Sequence, residues 1–386
     1  MICFAGNGDR SVSRVLAMQV PNRYRDRGHR VIQWLPLLLL LALSSSGPAQ
    51  NLFEADEDSG NIYEFTTNGV QSTFASGLSF PAGLAFNSAG DLFVACGGGS
   101  GETAGYIADI TPAGVQSTFV SNLDKPSGLA FDSAGNLYVA CVGNQLTNLG
   151  IGEVIEITPA GTQSNYASGL ANPSALAFNS AGNLFVLVYT NSNPLKHISS
   201  GGAIIEITPS GTKSTFASVG NSADAGLAFN SFGDLFAAND SSSGYITEYT
   251  PAGSQFTYLS GLNYPRSITF DSAGDLFVAN SGGNSIIKIP PGGVQSPFAS
   301  GLDYPDGLAF QPPPPLQAVG VGIQLNQFGF TLIGSNNDIV VVEACTNLAN
   351  IVWSPLATNT LTNGSFYFSD AQWTNYPARF YRIHSP

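Results

Sequence analysis

Three histidines, four cysteines and two methionines among 386 residues leave little material for imidazole or soft-metal chemistry. What could act is mostly oxygen. Asp56, Asn239, Asn280 and Asp306 recur at matching points of an internal repeat, with Arg266 in the same slot as Asp306. The set could coordinate Ca2+ or another divalent cation, because hard cations prefer carboxylate and amide oxygens. A metal held there would polarise a carbonyl and acidify a bound water. Without one, Asp306, Arg266, Asn239 and Asn280 could line a ligand site. A structural reading competes with both: Asp and Asn at strand ends cap turns by accepting bonds from local amides, and Arg266 can simply pair with Asp306.

His197 is the one histidine of the repeat region, beside Lys196 in its longest loop. With Arg266 it forms the weak catalytic set, His197 as a general base; a solvated surface residue is the alternative. The acidic run Glu54, Asp56, Glu57, Asp58 before Gly60 imitates a calcium loop but lacks the fifth and twelfth EF-hand ligands, and reads as a solvated turn. The sequence contains no GxSxG elbow, P-loop, HExxH or CxxC motif.

The elements that must position these residues come from the repeat. A phrase resembling GLAF ends at Phe86, Phe131, Phe178, Phe229, Phe270 and Phe310, a period of 40 to 51 residues. That period indicates propeller blades. Five copies run into a turn with an Asx residue first and glycine fourth, such as Asn87 to Asp91, which suits a tight hairpin. A second strand follows (LFVAC at 92, LYVAC at 137, LFVLV at 184, LFAAN at 235, LFVAN at 276), apolar on both faces as expected of a sheet sandwiched between two others. A third strand, a TPAG-type turn and a polar fourth strand complete each unit. The array opens at Leu52 to Asp56 with a second strand lacking its first, and closes at Gly307 to Phe310 with a first strand lacking its second. Joined, these halves give an all-β, six-bladed β-propeller over 50–310 sealed by its own ends.

In such blades the loops joining the second and third strands lie on one face. They vary here, at 97–105, 142–152 and 189–202, so function is expected on that face around the channel mouth. The slot before the GLAF glycine there holds Ala82, Ser127, Ser174, Ala225, Arg266 and Asp306, and the slot ending the second strand holds Asp56, Cys96, Cys141, Val188, Asn239 and Asn280. Cys96 and Cys141 occupy equivalent slots on neighbouring blades, open to a disulfide or to two small buried thiols.

The blades resemble the NHL-repeat group of six-bladed propellers, in Pro126-Ser127-Gly128-Leu129-Ala130-Phe131 followed by Gly135-Asn136-Leu137-Tyr138-Val139-Ala140. The resemblance covers about residues 51 to 310 and implies the fold. It implies several functions, since the group includes lactonases of the gluconolactonase type, strictosidine-synthase-like proteins, streptogramin lyases and binding scaffolds. The group's aspartate and arginine after the second strand are mostly missing; Asp56 alone keeps the aspartate. Tyr245-Ile246-Thr247-Glu248-Tyr249 is similar to a streptogramin-lyase blade phrase.

Outside the repeat, residues 1–49 carry six arginines, an apolar run from Trp34 to Leu43 and small residues to Ala49. This is the pattern of a signal peptide cleaved after Ala49, with Met18 a second candidate start and an uncleaved anchor the alternative. Its loss would remove six arginines and two aspartates, turning a formal charge of −13 into −17. An acidic, exported protein follows, extracellular, at the cell surface or periplasmic, with no transmembrane span and no affinity for nucleic acid. At the other end, 311–317 (QPPPPLQ) reads as a stiff linker, and 318–386 as a small β-sandwich of strands near Phe328 to Ile333, Ile339 to Ala344, Ile351 to Leu356, Ser365 to Phe368 and Arg379 to His384. Its Glu343-Ala344-Cys345-Thr346-Asn347-Leu348, Trp353 and Arg379-Phe380-Tyr381-Arg382 are similar to short C-terminal modules of secreted bacterial proteins. The functional expectation is a monomeric binding scaffold for a protein or glycan at the cell surface; the alternative is a metal-dependent lactonase, or a lyase acting through His197.

Overall fold

The computed structural model describes residues 14–18, 50–97, 104–143, 151–193, 198–219, 224–312, 316–324, 327–334, 339–347, 351–362, 364–376 and 378–384. His197 and the proposed cleavage site at Ala49 lie outside them, as do parts of all three long loops. The described chain is almost wholly β, its only helical pieces being the single 3-10 turns Ser281–Gly283 and Trp373–Asn375. None of its helices is long and apolar enough to cross a membrane.

Residues Gln50–Pro312 form one compact unit of six four-stranded antiparallel sheets, propeller-like in arrangement. Five sheets use four consecutive strands. The sixth begins with Pro305–Phe310, which pairs with Leu52–Asp56 in the register Leu52 to Phe310 and Ala55 to Gly307. Each hairpin from first to second strand is closed by its Asx side chain: Asn87 Oδ1 accepts the amides of Ala89 and Asp91 at 2.9 Å, and Gly90 turns the chain at φ +92°. Asp132, Asn179, Asn230 and Asp271 do the same in their sheets.

Second strands such as Leu92–Cys96 are buried at every position. Because side chains alternate, each strand feeds two cores: Leu92, Val94 and Cys96 pack towards the preceding sheet, and Phe93 and Ala95 towards the next. The repeated aromatic of the second strand lies edge-on between two others. Phe93 meets Phe119 of its own sheet and Phe131 of the next at 5.1 Å; Phe277 meets Phe298 and Phe310 at 5.0 and 4.9 Å. Six such triplets link the sheets in sequence, the last through Phe310 to the sheet that contains Leu52–Asp56. Nearer the axis, first strands approach so closely that a Cβ on Gly83 would lie 1.9 Å from the Ser127 carbonyl oxygen, and one on Gly307 1.9 Å from that of Ala82. Glycine is required there for space, not for φ.

One expectation changes: the segment 189–202 is not simply a loop, since strands Leu184–Asn193 and Ile198–Ile207 extend across most of it. Of the two readings of Cys96 and Cys141, the buried thiols hold; both are free and buried, as is Cys345.

The second unit contains Pro313–Pro386, with Arg14–Met18 paired along Arg379–His384. One sheet is ordered Arg14–Met18, Arg379–His384, Ile339–Cys345, Ser354–Thr360; the other Gln317–Gln324, Gln327–Ile333, Ser365–Asp370. Phe328, Phe330, Leu332 and Phe368 from the second meet Val340, Val342, Tyr381 and Ile383 from the first in a single core. Strand Gln317–Gln324 was hidden by its glycines, and the strand read at Ile351 to Leu356 starts at Ser354.

Truncating one aromatic bridge tests the inter-sheet packing. Phe277→Ala is expected to lower unfolding stability by about 3–5 kcal/mol, the usual cost of removing a buried aromatic, and Gly83→Ala by about 1–3 kcal/mol through overpacking. Denaturant unfolding checks both, and a loss below about 1 kcal/mol for either would contradict the packing described.

Candidate functional site

The inner strands surround a cavity of about 270 Å³. Its wall includes the residue before each GLAF-type glycine position: Ala82, Ser127, Ser174, Arg266 and Asp306. The sixth equivalent, Ala225, has a side chain outside the described residues. Arg266 and Asp306 come from first strands of adjacent sheets, Pro265–Phe270 and Pro305–Phe310. Arg266 Nη1 donates to Asp306 Oδ2 and Glu57 Oε2, both at 3.2 Å, and Nε stands 4.0 Å from Asp240 Oδ2. The guanidinium also lies over the Tyr304 ring, 5.2 Å from its centre. Three sheets therefore meet at one cation.

The electrostatics follow from this packing. Burial disfavours the charge of Arg266, yet Asp306, Asp240 and Glu57 together hold its pKa above the ordinary value. Burial raises the Asp306 carboxyl to about 6; Arg266 opposes the shift, and Glu57 and Asp240 add to it. Asp240 is raised by burial against the pull of Arg266. Tyr189, on the same wall, is raised by burial and then by Asp240.

Asp56, Asn239 and Asn280 are not brought to this cavity. Asp56 Oδ1 accepts the Ser59 amide at 2.8 Å, Asn239 Oδ1 accepts the Ser241 hydroxyl at 3.0 Å, and Asn280 Oδ1 accepts the Asn263 amide at 2.7 Å. All three side chains fasten turns, the structural reading weighed above. The groups that do reach the site, Glu57, Tyr189 and Asp240, each follow that slot by one residue. A strand's side chains alternate between faces, so one step in register separates the turn-fastening position from the position facing the axis. The signal was present as Glu57, Tyr189 and Asp240 standing beside Gly97, Val142 and Ser281 of the other repeats.

Among the described residues, no three His, Cys, Asp or Glu side chains are grouped so as to hold a metal ion. The donor set explains this. Carboxylates of Asp306, Glu57 and Asp240 face the guanidinium of Arg266, which engages Asp306 and Glu57 directly and offsets part of their charge. Of Asp56, Asn239, Asn280 and Asp306, only Asp306 lines the cavity, and the other three bond within turns.

Glu54 departs from the expectation of a solvated acidic turn. It lies within strand Leu52–Asp56, 1% exposed, at the position held by Val94, Val139, Val186, Ala237 and Val278 in the other sheets. Neither carboxyl oxygen has a hydrogen-bond partner. Burial raises its pKa to about 8, helped by Asp56 and Asp306 and opposed by the Asp306 backbone.

The comparisons with known proteins agree with this fold. Residues 47–190 match the family model of the SMP-30/gluconolactonase/LRE-like region. A gluconolactonase from Xanthomonas campestris is similar in structure at a TM-score of 0.50 and 18% identity, over 59% of this chain and 78% of that one. A streptogramin B lyase matches at 0.49 and 16% identity, over 75% of this chain and 92% of that one. A virginiamycin B lyase from Staphylococcus aureus matches at 0.47 and 16%, over 75% and 94%. No curated protein matches the sequence. Residues Gln50–Pro312 form a β-propeller similar in fold to a gluconolactonase.

The buried acid gives a pH prediction. Its pKa is higher folded than unfolded, so the folded state holds the proton more tightly and Glu54 makes stability fall as pH rises from about 4.5 to about 8. Glu54→Val is expected to raise the melting temperature more at a pH of about 9 than at about 5. Equal gains at both, measured by calorimetry, would show that Glu54 does not titrate as described.

Proposed function

We propose that residues 50–310 are a six-bladed NHL-like propeller, closed between Pro305–Phe310 and Leu52–Asp56, that serves as an exported binding scaffold. Its channel mouth takes one neutral, hydroxyl-bearing group, the terminal sugar of a glycan. The carrying observation is the cavity wall, where carboxylate acceptors of Asp240 and Asp306, the guanidinium of Arg266 and the Tyr189 ring lie within one small space. Hydroxyl groups both donate and accept, and such a mixed wall satisfies both roles, while the aromatic face covers the sugar's apolar side. Three carboxylates outnumber the one arginine, which disfavours an anionic ligand.

A second reading is hydrolysis of a lactone. It draws on the gluconolactonase-like match of residues 47–190 and on Asp306, whose carboxyl at about 6 is suited to exchange protons near neutrality. Arg266 would orient the carbonyl. The carboxylates of this wall are engaged by Arg266.

Glycan-array screening of the protein, followed by calorimetric titration of the best sugar, tests the first reading. Asp240→Asn and Asp306→Asn are each expected to weaken binding roughly tenfold, as for loss of a charged hydrogen bond. Absence of any sugar ligand, together with hydrolysis of gluconolactone that Asp306→Asn abolishes, would replace this reading with the second.

A further inference from the structure

We propose that Arg266 is the built-in cation of this cavity: its guanidinium fills the place among Asp306, Glu57 and Asp240 that a divalent ion would need, so the site works without metal. Three carboxylates arrive from separate segments, the turn after Leu52–Asp56, the residue after Leu235–Asn239, and the strand Pro305–Phe310. Collecting like charges in a partly buried space is unfavourable without a cation. The cation present is covalently part of the chain and is supported from below by Tyr304.

A guanidinium differs from an ion in having directional donors. Nη1 serves both Asp306 and Glu57, and Nε approaches Asp240, while Nη2 has no hydrogen-bond partner among the described residues. Arg266 lines the cavity with a side chain 28% exposed, which leaves Nη2 to receive an oxygen acceptor of a ligand. One residue then does two things, offsetting carboxylate charge and presenting a donor, where a metal site would need a resident ion. The inference concerns the cavity assigned above and not the identity of its ligand. Failure of sugar binding leaves it standing, and its own failure leaves sugar binding standing.

Thermal unfolding in EDTA and in millimolar CaCl2 tests it. The unsubstituted protein should melt at the same temperature in both. Arg266→Ala should be less stable in EDTA but should gain roughly 3 °C in CaCl2, because the exposed carboxylates then take the ion, and adding Asp306→Asn should erase that gain. If Arg266→Ala does not fold, Arg266→Met, which keeps an apolar stem over Tyr304, is measured in the same way. A calcium-dependent rise in the unsubstituted protein that Asp306→Asn or Asp240→Asn removes would overturn the proposal. So would a folded Arg266 variant with no response to calcium.

Discussion

Edge-to-face packing of one aromatic per sheet against two neighbours is the interaction on which the larger unit depends. Ring centres are 4.9 to 5.1 Å apart in every case, and each central ring belongs to a strand buried on both faces. An isolated four-stranded sheet with two apolar faces would not be soluble. Each sheet therefore needs two partners, and the chain supplies the missing pair of faces by joining its last first strand to its first second strand. Tyr138, Tyr166 and Tyr258 replace phenylalanine in the pattern and keep the ring geometry, with the Tyr138 hydroxyl donating to Glu156 at 3.2 Å.

The site is a by-product of that constraint. Aromatic bulk fills the outer space between sheets, while small residues allow first strands to crowd together near the axis. At Gly83 and Gly307 even a methyl group would collide with a neighbouring backbone. Most side chains of the adjoining slot are small, and this leaves the cavity open. Arg266 and Asp306 are the exceptions, and they stand beside each other next to the sheet built from both ends of the repeat. Buried ionisable groups on that side, Asp306 and Glu54, have their carboxyls pushed up by burial, which marks it as the electrostatically costly part of the unit. Concentrating ionisable groups where the channel opens is the arrangement expected of a functional site, because charged groups elsewhere in doubly covered sheets would have no water to face.

Much of the fold was legible because its signals are local. Asn87 to Asp91 and its copies state their turns outright, since an Asx side chain closing on its own backbone needs no distant partner. The second strands declared burial on both faces through LFVAC and its variants. The site was half legible: Arg266 and Asp306 could be found by register, while Asp240 and Tyr189 of the wall, and Glu57 that pairs with Arg266, were missed by one residue. Asp56, Asn239 and Asn280 share their chemistry but sit in the other phase of the alternation, where Asp56 and Asn280 accept backbone amides and Asn239 accepts the Ser241 hydroxyl. Glu54 was misread because an acidic run suggests solvent, whereas its place in the strand register puts it where five other repeats hold valine or alanine.

By itself the sequence determined the repeat, the strand order within each sheet, the incomplete first and last units and the acidic, histidine-poor character of the chain. These follow from residue type and spacing along one dimension. Only the tertiary structure decided which oxygen atoms face the axis, and that three carboxylates share one arginine instead of surrounding an ion. The reason is that coordination depends on side chains from different sheets meeting within about 4 Å, and in a strand a single residue of register sends a side chain to the opposite face.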